Sequence, residues 1–319
     1  MRPPEFADSL WERKELPIVR RLDPLGFPLE LASNSEEVIA AATESWGECR
    51  LEFEREPVRV RVIVEPGGEG SPPEPVYRSQ QGILAIVSDR DNFGACDLVS
   101  RCAWCQVSPR LVANRALFRW YFLDAMVYLL LSQRDIVLVH AACVAREDRG
   151  VLLCGTSGSG KTTLAYACAR AGWTYLTDDA TAVLQGSPER VALSRRRAFH
   201  FRPNAVDLFP ELGRLPQSIH PNGKPTIEAP ASALAGIAST SRCRLACIVF
   251  PDRRAAPGIQ EIAPEEALCR LQREMPDFGE PARSRQEETL AHLVRLPTYE
   301  LCYRTLSEAV ALLDGLSVV

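Results

Sequence analysis

The chain has 319 residues, of which 46% are hydrophobic and 24% charged, with a formal charge of −4 at pH 7. That is the composition of an ordinary globular protein, long enough to bury a sizeable core and to form two domains, or one with a large extension. The slight acidic excess gives no general electrostatic case for a nucleic-acid partner.

The first segment, "MRPPEFADSLWERKEL", is charged, carries prolines and lacks an apolar stretch. It does not read as a signal peptide, so a cytoplasmic location is expected. "SEEVIAAATESWG", Ser35 to Gly47, predicts a helix with Ser35 at its cap and Gly47 just past its end. "VRVRVIVEP", Val58 to Pro66, alternates apolar and basic residues and predicts a strand. "PGGEGSPPEP" is a Gly/Pro loop, and "GILAIVSD" a further short strand. No catalytic constellation is visible in residues 1–110. They are expected to form a small α+β region that serves docking, regulation or oligomerisation.

"ALFRWYFLDAMVYLLL", Ala116 to Leu131, is the most apolar stretch. It is too short to span a bilayer and holds Arg119 and Asp124, so it predicts a buried helix over about Val112 to Ser132 and no membrane partner. The second region, residues 111–319, includes it. The eleven cysteines are scattered, and Cys143, Cys154, Cys168 and Cys247 sit in apolar runs, where a free thiol packs as a small hydrophobe. Cys102 and Cys105 form a C-x-x-C near Cys96, but no second pair completes a zinc set.

"DIVLVHAACVA", Asp135 to Ala145, predicts one strand, "REDRG" a turn, and "VLLC" a second strand. The next stretch is "GTSGSGKTT": Gly155, Thr156, Ser157, Gly158, Ser159, Gly160, Lys161, Thr162 and Thr163. It meets the pattern G-x-x-x-x-G-K-[ST], the P-loop or Walker A motif, and each part has a physical task. Glycines let backbone N–H groups curl inward onto phosphate oxygens. The helix "KTTLAYACARAG" presents its positive end to them. Lys161 adds a mobile charge, and the Thr162 hydroxyl is suited to Mg²⁺. Strand, loop and helix stand in the order the motif needs, so nucleotide binding with ATP and Mg²⁺ is expected.

"WTYLTDDATAVL" then predicts a strand, Trp173 to Thr177, with Asp178 and Asp179 at its end. One carboxylate there is suited to hold Mg²⁺ and the other to accept a proton from an attacking hydroxyl. A plain Asp-Asp turn is the alternative. His140, in the apolar run "VLVHAACV", reads either as a buried histidine satisfied by a carbonyl or as an acid–base partner of the phosphates. Downstream come the basic run Arg195, Arg196 and Arg197 with His200 and Arg202, and the turn "HPNGKP" with Lys224. The triple arginine is read as a solvated face. "CRLACIVFP" and "TYELCYRT" predict strands. "APEEALCRLQREM" and "LSEAVALLDGL" predict helices, the latter capped by Ser307.

The order from His140 through the hairpin, the GxxxxGKT loop, the short helix and Asp178-Asp179 resembles the C-terminal catalytic domain of HPr kinase/phosphorylase. It spans His140 to Leu184, and the family fold is related to the nucleotide-binding part of phosphoenolpyruvate carboxykinase. The resemblance implies an α/β P-loop kinase domain in residues 111–319 beside the smaller N-terminal α+β region. It implies that Gly155 to Thr162 hold the phosphates, that Thr162 contributes to Mg²⁺, and that His140 and Lys161 sit in the active centre. Asp179 would then be the base toward a serine hydroxyl, with Asp178 supporting it or the metal. A homo-oligomer is also implied.

The family's metal-binding glutamate has no counterpart after the Asp-Asp strand, since no carboxylate lies between Glu189 and Asp207. The family's dephosphorylation loop is not found either. The chain therefore resembles divergent relatives, some of which accompany peptide-modifying gene clusters while others act on free serine. The expected function is ATP-dependent transfer of the γ-phosphoryl group to a serine-type hydroxyl of a protein or peptide. A small-molecule acceptor, an amino acid or sugar, and a nucleotide-binding regulator without transfer are the alternatives.

Overall fold

In the computed structural model Val58, Val60 and Val62 of "VRVRVIV" are buried while Arg59 and Arg61 between them are not, as a half-buried strand requires. Residues 15–68, 70–194, 198–253, 256–275 and 280–316 are described. The fold is mixed α/β, with seven-, nine- and three-stranded sheets among the described residues. The chain divides into two compact units, residues 1–133 and 134–319. Among the described residues no helix is long and apolar enough to cross a membrane.

The first unit runs β1 (Ile18–Leu22), β2 (Leu29–Ser33), α1 (Glu36–Trp46), β3 (Val58–Val64), β4 (Val76–Gln80), β5 (Ile83–Val87), β6 (Phe93–Asp97) and β7 (Cys102–Val107). Three helices come next: α2 (Pro109–Ala113), α3 (Arg115–Phe118) and α4 (Ala125–Ser132). The seven strands form one sheet in the order β1-β2-β3-β7-β6-β5-β4. Ser35 occupies the cap position of α1, although its hydroxyl makes no capping bond.

The apolar segment expected as one helix is broken at Asn114, whose side chain caps α3. It then passes through a π-helical stretch, Arg119–Asp124, into α4. This segment belongs to the first unit and not to the second region, because α4 packs on β3, β6 and β7. Helical periodicity alone does not say which sheet an apolar face will cover. The two charges within it are met by α1: Arg119 Nε donates to Ser45 Oγ at 2.9 Å, and Ser45 Oγ donates to the buried Asp124. Cys102 and Cys105 lie three residues apart on β7 and so face opposite sides of the sheet.

The second unit opens with β8 (Ile136–Val139), β9 (Ala141–Arg146), β10 (Arg149–Cys154), α5 (Lys161–Arg170), β11 (Thr174–Thr177) and β12 (Thr181–Leu184). It continues through β13 (Val191–Ser194), β14 (Ala198–Phe201), β15 (Gln217–Ile219) and β16 (Pro225–Pro230) to β17 (Arg242–Asp252). β18 (Gly258–Glu261), α6 (Pro264–Arg273), α7 (Glu280–Leu293), β19 (Thr298–Cys302) and α8 (Leu306–Asp314) complete it. The main sheet runs β11-β9-β10-β17-β13-β12-β8, with β19 beside β17 and β18 beside β19. β14, β16 and β15 form the three-stranded sheet. α8 is capped by Thr305, whose hydroxyl accepts from the Glu308 N–H; Ser307 lies inside the helix and is not its cap.

β10 is buried on both faces, as a strand covered by helices on either side must be. Val151 and Leu153 join one core with α5, α8, Trp173, Tyr175, Phe199 and Phe201. Leu152 and Cys154 join the other, with Phe250, Leu271 of α6 and Leu290 of α7. β17 runs parallel to β10, so the C-terminal ends of both strands emerge at the same sheet edge. That edge carries the loop after β10.

Candidate active site

The loop between β10 and α5 is the predicted P-loop. Gly155 has φ +144° and Gly160 φ +94°, backbone that disfavours a Cβ. A Cβ on Gly155 would stand 2.9 Å from Ser159 Oγ. Lys161, the first residue of α5, is only 5% exposed, and its Nζ folds back to donate to Gly155 O at 2.6 Å and Thr156 O at 3.1 Å. Burial lowers the Lys161 ammonium pKa, while Asp179, Cys154, Glu274 and Asp178 act the other way. Ser159 Oγ is buried with no hydrogen-bond partner among the described residues. Positive-φ glycines, a helix N-terminus, a buried ammonium and an orphaned hydroxyl together fit the phosphates of a nucleotide.

Asp178 and Asp179 come directly after β11, and their side chains part company. Asp178 is buried. Its Oδ2 accepts the His200 N–H at 2.6 Å, and its Oδ1 accepts the Tyr175 hydroxyl at 3.4 Å and lies 3.5 Å from His200 Nδ1. It fastens β14 to the end of β11. Burial pushes the Tyr175 phenol well above its ordinary range, and the Asp178 charge adds to that. Removing this carboxylate takes away the bond it accepts from the half-buried His200 N–H, at a cost of about 1–3 kcal/mol. Asp178→Ala is therefore expected to lower unfolding stability by that amount in a urea titration. A midpoint equal to that of the wild type would contradict the anchoring role.

Asp179 is exposed, and its Oδ1 lies 3.0 Å from His140 Nε2. The predicted strand Asp135 to Ala145 is broken at His140 into β8 and β9. β8 pairs with β12, and β9 pairs with β10 and β11, so the break leaves the imidazole at the sheet edge that holds the loop. Its Nδ1 lies 3.1 Å from Glu274 Oε2, just past the end of α6. The carbonyl-satisfied alternative for His140 does not hold, since both ring nitrogens face carboxylates. The hydrogen bond from His140 holds the Asp179 carboxyl below the usual range. The same bond is the main cause that raises the His140 pKa, with Glu274 adding to it and burial and Lys161 opposing.

Thr162 Oγ1, in the first turn of α5, donates to the Asp178 carbonyl at 3.3 Å. Thr163, Thr156, Ser157 and Gly158 belong to the same loop and helix start. Arg202 is exposed at the end of β14, and Lys224 sits in the turn before β16, its N–H on Asn222 Oδ1. Arg195, Arg196 and Arg197 lie outside the described residues. Among the described residues no group of three or more His, Cys, Asp or Glu is placed to hold a metal. Beside nucleotide phosphates Mg²⁺ is held by a Ser or Thr hydroxyl at the start of the helix together with a carboxylate, and the Thr162 hydroxyl fits the first of these.

Sequence reasoning does not find two residues at this edge. Glu274 lies 134 residues from His140, and no local motif links them. Arg253, at the end of β17, has its Cδ 4.0 Å from the position a Cβ on Gly160 would take. A signal for Arg253 does exist: "CIVFPDR" is an apolar strand ending in charge, which in a parallel sheet delivers its last residues to the edge its neighbour reaches.

Residues 103–192 match the family model described as SynChlorMet cassette protein ScmC. That stretch holds the loop and Asp178-Asp179 but is less than half of the chain. The chain is also similar to a solved structure of the Hpr(Ser) kinase/phosphatase from Coxiella burnetii, at 10% identity and a TM-score of 0.28. The similarity covers 55% of this chain and 93% of that chain. At that TM-score the likeness assigns neither fold nor function. No curated protein matches the chain.

Proposed function

We propose that this protein is an ATP-dependent kinase that transfers the γ-phosphoryl group to a serine-type hydroxyl of a protein or peptide. The observation that carries the reading is the meeting of the loop with the His140–Asp179 pair at one sheet edge. The loop amides and Lys161 bind the triphosphate. Lys161 must release the Gly155 and Thr156 carbonyls to reach it. Bound Mg²⁺ would neutralise phosphate charge, and Thr162 is the residue to hold it. Asp178 keeps the β11 end in place, and its carboxylate supports the metal side only by giving up its bonds to β14.

Asp179 accepts the proton as the acceptor oxygen forms its bond to phosphorus. The bond to the bridging oxygen breaks, and ADP leaves with that electron pair. Transfer of this kind is mostly positioning and charge stabilisation.

The active form has Asp179 ionised and His140 protonated. Activity is therefore expected to fall on the acid side only below the ordinary carboxylate range. On the alkaline side it falls above the ordinary imidazole value of about 6.5. The test is incubation with Mg²⁺ and γ-labelled ATP against serine-containing peptides, free serine and sugars, across pH. Label on peptide serine with these two limbs is the expected result. Label only on free serine or a sugar would move the acceptor to a small molecule. Tight ATP binding without transfer to any hydroxyl would overturn the kinase reading in favour of a nucleotide-binding regulator.

A further inference from the structure

Glu274 stands where its own helix does not favour a carboxylate. It is the first residue after α6, beside the negative end of the helix dipole, where cations are preferred. A placement that goes against a local rule calls for a compensating partner, and the partner is His140, 3.1 Å away. The backbone there is fixed. Ala267 and Leu271 bury α6 against Leu152, Ile248 and Phe250, and the Glu274 N–H bonds back to Leu271 O at 3.1 Å. Arg270 binds Glu266 and also Glu300 of β19, tying the last turns of α6 to the sheet. The carboxylate is thus presented from a docked helix and not from a loose loop.

The ring chemistry then limits the options. A neutral imidazole donates from one nitrogen only. Two ring nitrogens at 3.0 and 3.1 Å from two carboxylate oxygens are satisfied together when the ring donates from both. The charged groups facing the ring are Asp179 from the β11–β12 turn, Glu274 from the end of α6 and Lys161 from the start of α5. Two anions oppose one cation.

We propose that Glu274 is a positioning residue that holds the His140 ring as a doubly donating imidazolium, one N–H on Glu274 and the other on Asp179. His140 is then a fixed charge that keeps Asp179 ionised and oriented, and it is not the acceptor of the transferred proton. Only the task assigned to Asp179 rests on the kinase reading. The charge state and its dependence on Glu274 do not.

The test is NMR of the ring ¹³C and ¹⁵N signals of His140 in the full chain, which has only four histidines to assign. At pH 6.5 the wild type is expected to show both His140 nitrogens mainly protonated. In Glu274→Gln the titration midpoint is expected to fall by about half to one pH unit, since an opposite charge within hydrogen-bond range has been removed. Glu274→Asp is expected to recover part of that fall. Where transfer activity is found, the alkaline limb of kcat moves down by the same amount. A role confined to holding the helix end would leave that limb in place. A neutral ring in the wild type at pH 6.5, or a midpoint unchanged within about 0.2 unit in both variants, would overturn the proposal. The NMR readout does not require phosphoryl transfer, so the proposal and the kinase reading fail separately.

Discussion

Gly160→Val is expected to weaken Mg·ATP binding by about ten- to a hundredfold. Gly160 sits at the junction of loop and α5 with φ +94°. Valine is β-branched and strongly resists that backbone. A Cβ there would also stand 3.2 Å from the Tyr303 hydroxyl, a residue fixed in the core with α5 and α8. The variant must either keep a strained backbone, at about 1–3 kcal/mol, or turn the loop amides away from their inward curl. On the second course the strain reappears as lost affinity, at about 1.4 kcal/mol per factor of ten. Calorimetric titration with Mg·ATP measures it directly. An affinity within twofold of the wild type, with no loss of unfolding stability of that size, would contradict this account of the loop.

Asp179→Asn is expected to have a larger effect on a different quantity. General base catalysis contributes about 10²–10⁴ to a rate, and an amide cannot take the proton. The side chain is exposed and meets the His140 ring at the sheet edge, away from both cores. The substitution therefore leaves the core and the loop in place, and Mg·ATP affinity is expected to stay within about twofold. This separates Asp179 from Asp178. The adjacent carboxylate is buried and bonded to β14, so changing it reads out in stability.

The division between these two residues is only partly legible in the sequence. The loop is legible because the glycine spacing, the entering strand and the leaving helix are all local. The Asp-Asp pair is legible as a strand end for the same reason. Which carboxylate faces solvent is not, because β14 decides it by offering the His200 N–H to Asp178, from 22 residues away. The break at His140 is hidden by an apolar run that continues through it, "VLVHAACV", although the two halves pair with different strands. Glu274 lies outside any motif, since a helix packed on the far side of the sheet brings it back. The helical segment after β7 is as apolar as expected, but it is broken into pieces and has a different allegiance. Its apolar face is plain, but the sheet it covers is set by tertiary packing, and that places it in the first unit.

Single-turnover transfer from γ-labelled ATP to a serine acceptor, by the wild type and by Asp179→Asn at equal nucleotide occupancy, tests the central claim most directly. The loop and the exposed carboxylate are held to work as one phosphotransfer centre. The expected result is label on the acceptor with the wild type, and a rate lower by about 10²–10⁴ in the variant with its bound nucleotide retained. Equal rates for the two proteins would contradict the account.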